Sequence, residues 1–170
     1  KMLKYGWSLD SLVVAINQSL PLVVSALAVT IGFKMNLFNI GVEGQYRLAA
    51  LIAAAIGANI AGPGFFKIIV TVVVAMLVGA SFASIAGILK ATRNVNEVVG
   101  TIMLNGIAYS VIAFLLHRKL IAAIHGSFLS TNKYPKSAWF PVLTIRKGTT
   151  NLMLWVIPVI IVLVAFHYVV

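Results

Sequence analysis

Apolar residues run along this chain in long blocks, and polar residues gather between them. The blocks cover residues 12–33, 45–61, 65–89, 95–116 and 152–170. A helix that crosses a bilayer needs about 20 apolar residues. The first block carries Asn17, Gln18 and Pro21, so its early part is polar and a kink is expected there. The second block is short: at about 1.5 Å per residue it reaches about 26 Å, less than a hydrocarbon core of about 30 Å. The third contains "KIIVTVVVAMLV", β-branched enough to form a strand in water. Its length, about 25 residues without alternation, fits a spanning helix instead. The pattern therefore predicts an all-α fold. This is a polytopic transmembrane helix bundle, one domain with five membrane segments and a broken or re-entrant stretch near 36–45.

The connections differ in kind. "AGPG" at 61–64 is a tight turn, and "KATRN" at 90–94 is short and basic. Residues 117–151 form a long extramembrane loop, expected to hold at most a short interfacial helix. Small residues recur every fourth position. Ala49, Ala53, Gly57 and Ala61 form one ridge on the second segment, beside a ridge of Ala50, Ala54, Ala58 and Gly62. Ala75, Gly79, Ala83, Gly87 and Ala91 form another on the third. Such ridges let helix backbones approach closely in lipid; alanine richness alone would give the same spacing.

Composition strengthens the membrane assignment. Of 170 residues, 61% are hydrophobic and only 9% charged, against about 25% charged in soluble domains. The net charge is +10, yet the basic residues sit at the ends of apolar runs, as lipid-facing anchors do. Nucleic acid is not an expected partner; membrane lipid is. The absence of cysteine removes disulfides, thiolate metal sites and a cysteine nucleophile. No signal peptide is recognisable in residues 1–10. The opening "KML" and the final apolar "LVAFHYVV" suggest a piece of a longer chain. If all five segments span, Lys1, Lys4, Lys67, Arg118, Lys119, Lys133, Lys136, Arg146 and Lys147 lie on one side. Lys34, Arg47, Lys90 and Arg93 lie on the other. That count places the long loop in the cytoplasm.

Few polar residues remain for chemistry. Glu43 is one of three acidic residues, set between Gly41 and Gly44. A carboxylate at the bilayer centre costs on the order of 2.5–3.5 kcal/mol on insertion scales. Either "NLFNIGVEG" dips into the membrane as non-helical backbone lining a cavity, or it is a surface loop with Glu43 in the next helix's first turn, where the dipole favours it. Asn94, three residues before Glu97, matches a capping box opening the fourth segment. Asn105 and Tyr109 lie four apart, fit to bond a neighbouring helix or to line a pathway. His117, His125 and His167 lack metal-site spacing, and no P-loop or hydrolase motif is present. No catalytic constellation, nucleotide site or metal site is expected.

Two stretches carry a family resemblance. "LFNIGVEGQYRLAA" at 37–50 resembles the signature of permease subunits of bacterial ATP-binding-cassette importers for simple sugars, nucleosides and branched-chain amino acids. "VNEVVGTIMLNGIA" at 95–108 resembles the later segment of the nucleoside and sugar permeases, and the pairing looks most like the nucleoside type. The likeness covers about residues 10–116. It implies a multi-pass subunit of the bacterial inner membrane that works with a second permease subunit, a substrate-binding protein and a separate ATPase. ATP and magnesium would bind that ATPase, so no cofactor is expected on this chain. The solute would be a nucleoside or simple sugar, moved by alternating access. Asn39, Gly41, Glu43, Gly44 and Gln45 are the expected pathway or hinge element, with Asn96, Glu97 and Asn105 as further candidates. The family arrangement also places the 117–151 loop outside and "KATRN" inside, against the charge count. It is preferred, because an absent first helix removes the strongest orienting signal. Tyr46 and Arg47 depart from the family pattern, where many relatives are apolar. Two other functions fit the residues alone: an ion-coupled carrier using Glu43 or Glu97, and a membrane scaffold without transport.

Overall fold

The computed structural model describes residues 8–117, 123–125, 128–139, 142, 151, 153 and 156–169. The elements are α1 (Leu9–Lys34), α2 (Val42–Asn59), α3 (Gly64–Arg93), α4 (Glu97–His117), β1 (Ala123–His125), β2 (Phe128–Ser130), a 3₁₀ turn (Lys136–Ala138) and α5 (Val156–Val169). The chain divides into two compact units, residues 32–139 and residues 1–31 with 140–170. Helices dominate, and the expected helix bundle is what forms. The long loop adds a small antiparallel hairpin, β1–β2, with Ile124 opposite Leu129. Its basic residues Arg118, Lys119, Arg146 and Lys147, like Lys1 and Lys4, lie outside the described residues.

Among the described residues, α1, α3 and α4 are long and apolar enough to cross a membrane. Helix α2 has 18 residues and does not qualify, because Glu43, Gln45 and Arg47 occupy its first two turns. Helix α5 is a shorter apolar helix, with Pro158 in its first turn, where a missing N–H leaves no helical bond unmade. Pro21 does not end α1, which continues to Lys34. The polar early part of α1 is used: Asn17 donates to the Asn151 carbonyl at 2.8 Å and accepts from the Met153 N–H at 3.0 Å.

In the 32–139 unit, α2 is central and packs on both α3 and α4. One small-residue ridge is the buried one, Ala49, Ala53 and Gly57. A Cβ on Gly79 of α3 would lie 3.8 Å from the Ala49 Cβ, so α2 and α3 approach through small residues on both sides. The neighbouring ridge is not the packing face; Ala50 and Gly62 are exposed. Large apolar side chains of α3 point outward, Phe65 (76% exposed) and Met76 (67%) among them. Lipid is the solvent for such a face.

Two asparagines end helices in the same way. Asn36 (φ 54°) follows α1, and Asn94 (φ 50°) caps α3. Asparagine tolerates this left-handed conformation, which lets orphan carbonyls of the last turn find donors. Asn36 N–H reaches the Phe33 carbonyl and Leu37 N–H the Gly32 carbonyl. Asn94 is thus a C-cap of α3, and the expected capping box with Glu97 does not form. Asn96 opens α4 instead: its Oδ1 accepts from the N–H groups of Val98 (2.9 Å) and Val99 (3.3 Å).

The opposite end of the α2–α3 hairpin is covered by residues 131–139. Tyr134 places its hydroxyl against Thr71 Oγ1, beside Gly57. Asn132 bonds Asn59 at 2.9 Å. Gly64 faces the Ser137 carbonyl so closely that no side chain could stand there.

Candidate functional site

Non-helical backbone between α1 and α2 is confined to residues 35–41. The break is therefore shorter than the 36–45 stretch expected from sequence, and Glu43, Gly44 and Gln45 belong to the first turn of α2. The alternative that sets Glu43 in that turn is the arrangement observed.

A helix start leaves four N–H groups without intrahelical partners. Gly41 stands at the N-cap of α2 and has no side chain to satisfy any of them. Helix α4 supplies the cap. Asn105 Oδ1 accepts from the Gly44 N–H at 2.9 Å, and Asn105 Nδ2 donates to the Ile40 carbonyl at 3.1 Å. Thr101, 2% exposed, accepts from the Ile40 N–H at 3.2 Å. Its own hydroxyl proton goes to the Glu97 carbonyl at 2.7 Å. Within the loop, Asn39 Oδ1 accepts from the Gly41 N–H at 2.9 Å, and the Asn39 and Gln45 amides bond each other at 3.1 and 3.2 Å.

The two glycines permit the approach. A Cβ on Gly41 would lie 2.9 Å from the Thr101 carbonyl oxygen. One on Gly44 would lie 2.7 Å from Asn105 Oδ1 and 2.9 Å from the Ala108 Cβ. Ala108 is fully buried. Loop and helix therefore interlock backbone to backbone.

The charged residues sit at the rim. Lys90 of α3 pairs with Glu97 and also donates to the Asn36 carbonyl at 3.3 Å. Glu43 pairs with Arg47 one turn on, at 2.9 Å, each side chain more than half exposed. The Arg47 guanidinium lies 5.6 Å from the Tyr109 ring centroid. Of the eight expected site residues, Asn39, Gly41, Gly44, Gln45, Glu97 and Asn105 build the interlock. Asn96 caps α4, and Glu43 pairs with Arg47 at its edge. Thr101, Lys90 and Asn36 were not singled out from sequence. Thr101 had one available signal: it lies four residues before Asn105, on the same helix face.

Two segments that are distant in sequence thus meet in one network, and both belong to a recognisable family. Residues 11–170 match the family described as the permease component of the branched-chain amino acid transport system. This chain belongs to that permease family. It is similar to the guanosine ABC transporter permease of Bacillus subtilis, 37% identical over 105 residues, covering 62% of this chain and 30% of the relative. It also resembles a glucose ABC transporter permease of Haloferax volcanii, 30% identical over 126 residues (74% and 33%). A nucleoside ABC transporter permease of Lactococcus lactis is 29% identical over 156 residues (87% and 43%). The chain spans between about a third and somewhat under half of the length of these curated relatives. No solved structure gives a significant match. The permease is accordingly a multi-pass protein of the bacterial inner membrane, built on α1, α3 and α4 as apolar helices of spanning length.

Proposed function

We propose that this chain is part of the permease subunit of an ATP-driven importer that moves a nucleoside or simple sugar by alternating access. Family membership supports this, as do the guanosine, nucleoside and glucose transport named for its relatives. A separate ATPase would supply energy and bind ATP and magnesium, a second permease subunit would complete the pathway, and a binding protein would deliver solute. The observation that carries the structural part is the bond pair from Asn105 to Gly44 and Ile40. It ties the start of α2 to the middle of α4, so the two would shift as one body when the bundle changes state. In this reading Asn39, Gly41, Gly44, Gln45 and Asn105 form the rigid element beside the pathway. A proton-coupled carrier needs a carboxylate that changes charge. Glu43 and Glu97 are each engaged in an ion pair, with Arg47 and Lys90, so neither is a free carboxylate.

The test is uptake by the full-length permease reconstituted with its ATPase and binding protein. ATP inside the vesicles should drive accumulation of nucleoside or sugar, and an uncoupler should leave it intact. Uptake that ignores ATP and collapses with an uncoupler would overturn the proposal.

A further inference from the structure

Helix α4 gives a scale of depth in the membrane. Its 21 residues, at about 1.5 Å each, make about 31 Å, the thickness of a hydrocarbon core. By the same rise Tyr109 stands about 18 Å from the Glu97 end, just past the middle. The Arg47 guanidinium lies 5.6 Å from the Tyr109 ring centroid. The ion pair of Arg47 with Glu43 therefore belongs to the central part of the membrane, and its side chains are 54% and 56% exposed. The loop before α2 reaches inward as well: Ile40 bonds Thr101 and Asn105, one and two turns along α4.

Hydrocarbon is a poor solvent for these groups. Charged side chains within spanning segments face a bundle interior or a water-filled cavity, and non-helical backbone at depth obeys the same rule. A cavity lies at the required place. Beyond the interlock, an open groove runs between α2 and α4, lined by Tyr46, Arg47, Ala50, Leu51, Tyr109 and Ile112. The contacts of Arg47 with Glu43, through Nε and Nη2, both end on Oε1. A guanidinium carries five N–H donors, and one carboxylate oxygen cannot satisfy them all. Other exposed faces at similar depth are different in kind. Helix α4 presents Met103, Ile107 and Phe114 around Gly106, and α3 presents Met76 and Leu77. Lipid or an apolar helix suits both.

We infer that the α2–α4 groove is the wall of the water-filled solute pathway at mid-membrane, with the Arg47–Glu43 pair hydrated in it. The inference rests on the importer reading and locates its pathway on one helix face. Solute passes along the groove beside Arg47, and the loop held by Asn105 and Thr101 closes off the space next to it.

Thiol chemistry tests this, because only the thiolate reacts. A cysteine in hydrocarbon stays protonated and silent, whereas one in water reacts. The full-length permease is assembled with its ATPase and binding protein in vesicles, and a charged methanethiosulfonate is supplied on both faces during ATP turnover. Ala50→Cys, in the groove, should be modified at least tenfold faster than Ile107→Cys on the apolar face of α4 or Met76→Cys on α3. The reagent should also cut ATP-driven uptake of labelled guanosine or glucose by the Ala50→Cys complex at least tenfold more than it cuts uptake by the unaltered complex. Equal or reversed modification rates would place the groove under lipid or under another helix. Fast modification of Ala50→Cys with uptake intact would place it off the pathway. Either result overturns the inference and leaves the importer standing. Absence of ATP-driven uptake of both solutes by the unaltered complex would overturn the importer reading, and the pathway wall with it.

Discussion

Asn105 is the residue on which the most depends. One side-chain amide replaces two missing backbone partners, the Gly44 N–H and the Ile40 carbonyl. Asn105→Leu leaves both unpaired, and each unsatisfied group costs about 1–3 kcal/mol. The full-length protein should melt well below the unaltered one in detergent. Asn105→Asp keeps the acceptor for Gly44 and loses the donor to Ile40, so it should fall between the two. Equal melting of all three proteins would show that the interlock contributes nothing. Gly44→Ala is the complementary probe. Its Cβ would also lie 3.0 Å from the Asn105 Cα, a backbone atom that cannot rotate away. Overpacking of this kind costs about 1–3 kcal/mol, so a similar loss of thermal stability is expected. At this scale the sequence showed which residues were unusual, two glycines, two amides and a carboxylate between apolar blocks. It did not show which polar groups faced which. Asn105 was as fit to line a pathway as to bond a neighbour until Gly44 was seen 61 positions away within 2.9 Å of it.

At the scale of elements, the α3–α4 corner separates two asparagines that sequence alone confuses. Asn94 carries the left-handed turn, and Asn96 carries the cap. Asn94→Gly should be tolerated, since glycine adopts positive φ without steric strain. Asn96→Ala should destabilise by about 0.5–2 kcal/mol. A thermal-shift comparison of the two variants decides the assignment; the reverse ranking would restore the capping box. The Lys90–Glu97 pair spans the same corner, with side chains 33% and 18% exposed. A double-mutant cycle with Lys90→Met and Glu97→Gln should return only a small coupling, one that shrinks further as salt is raised, because such pairs are screened by solvent. Helix positions were legible from the apolar blocks to within a few residues. The start of α2 was not: Glu43, Gly44 and Gln45 looked like loop, because two glycines and three polar side chains weaken the helical pattern. Their helicity depends on a cap that arrives from α4.

For the whole molecule, the 32–139 unit has two ends. Asn36 and residues 90–97 share one, held by Lys90; residues 59–64 and 131–138 share the other, held by Tyr134, Asn132 and Ser137. A bilayer around α3 and α4 would separate them. In cells making the full-length permease, a membrane-impermeant thiol reagent should label Ser137→Cys from outside and spare Thr92→Cys. Labelling the other way round would favour the orientation given by the count of basic residues.

The sequence by itself determined the class of this protein. Long apolar blocks cannot fold in water and must form helices in lipid, because every backbone N–H and C=O must find a partner within its own segment. Two short motifs then identified the family. Only the tertiary structure decided that those motifs touch, that Asn105 and Thr101 complete the start of α2, and that Arg47, paired with Glu43, lies by the Tyr109 ring. The physical reason is range. Helix periodicity follows from neighbours three and four apart, while the partner of a buried amide or a glycine notch is set by packing between segments about sixty residues apart.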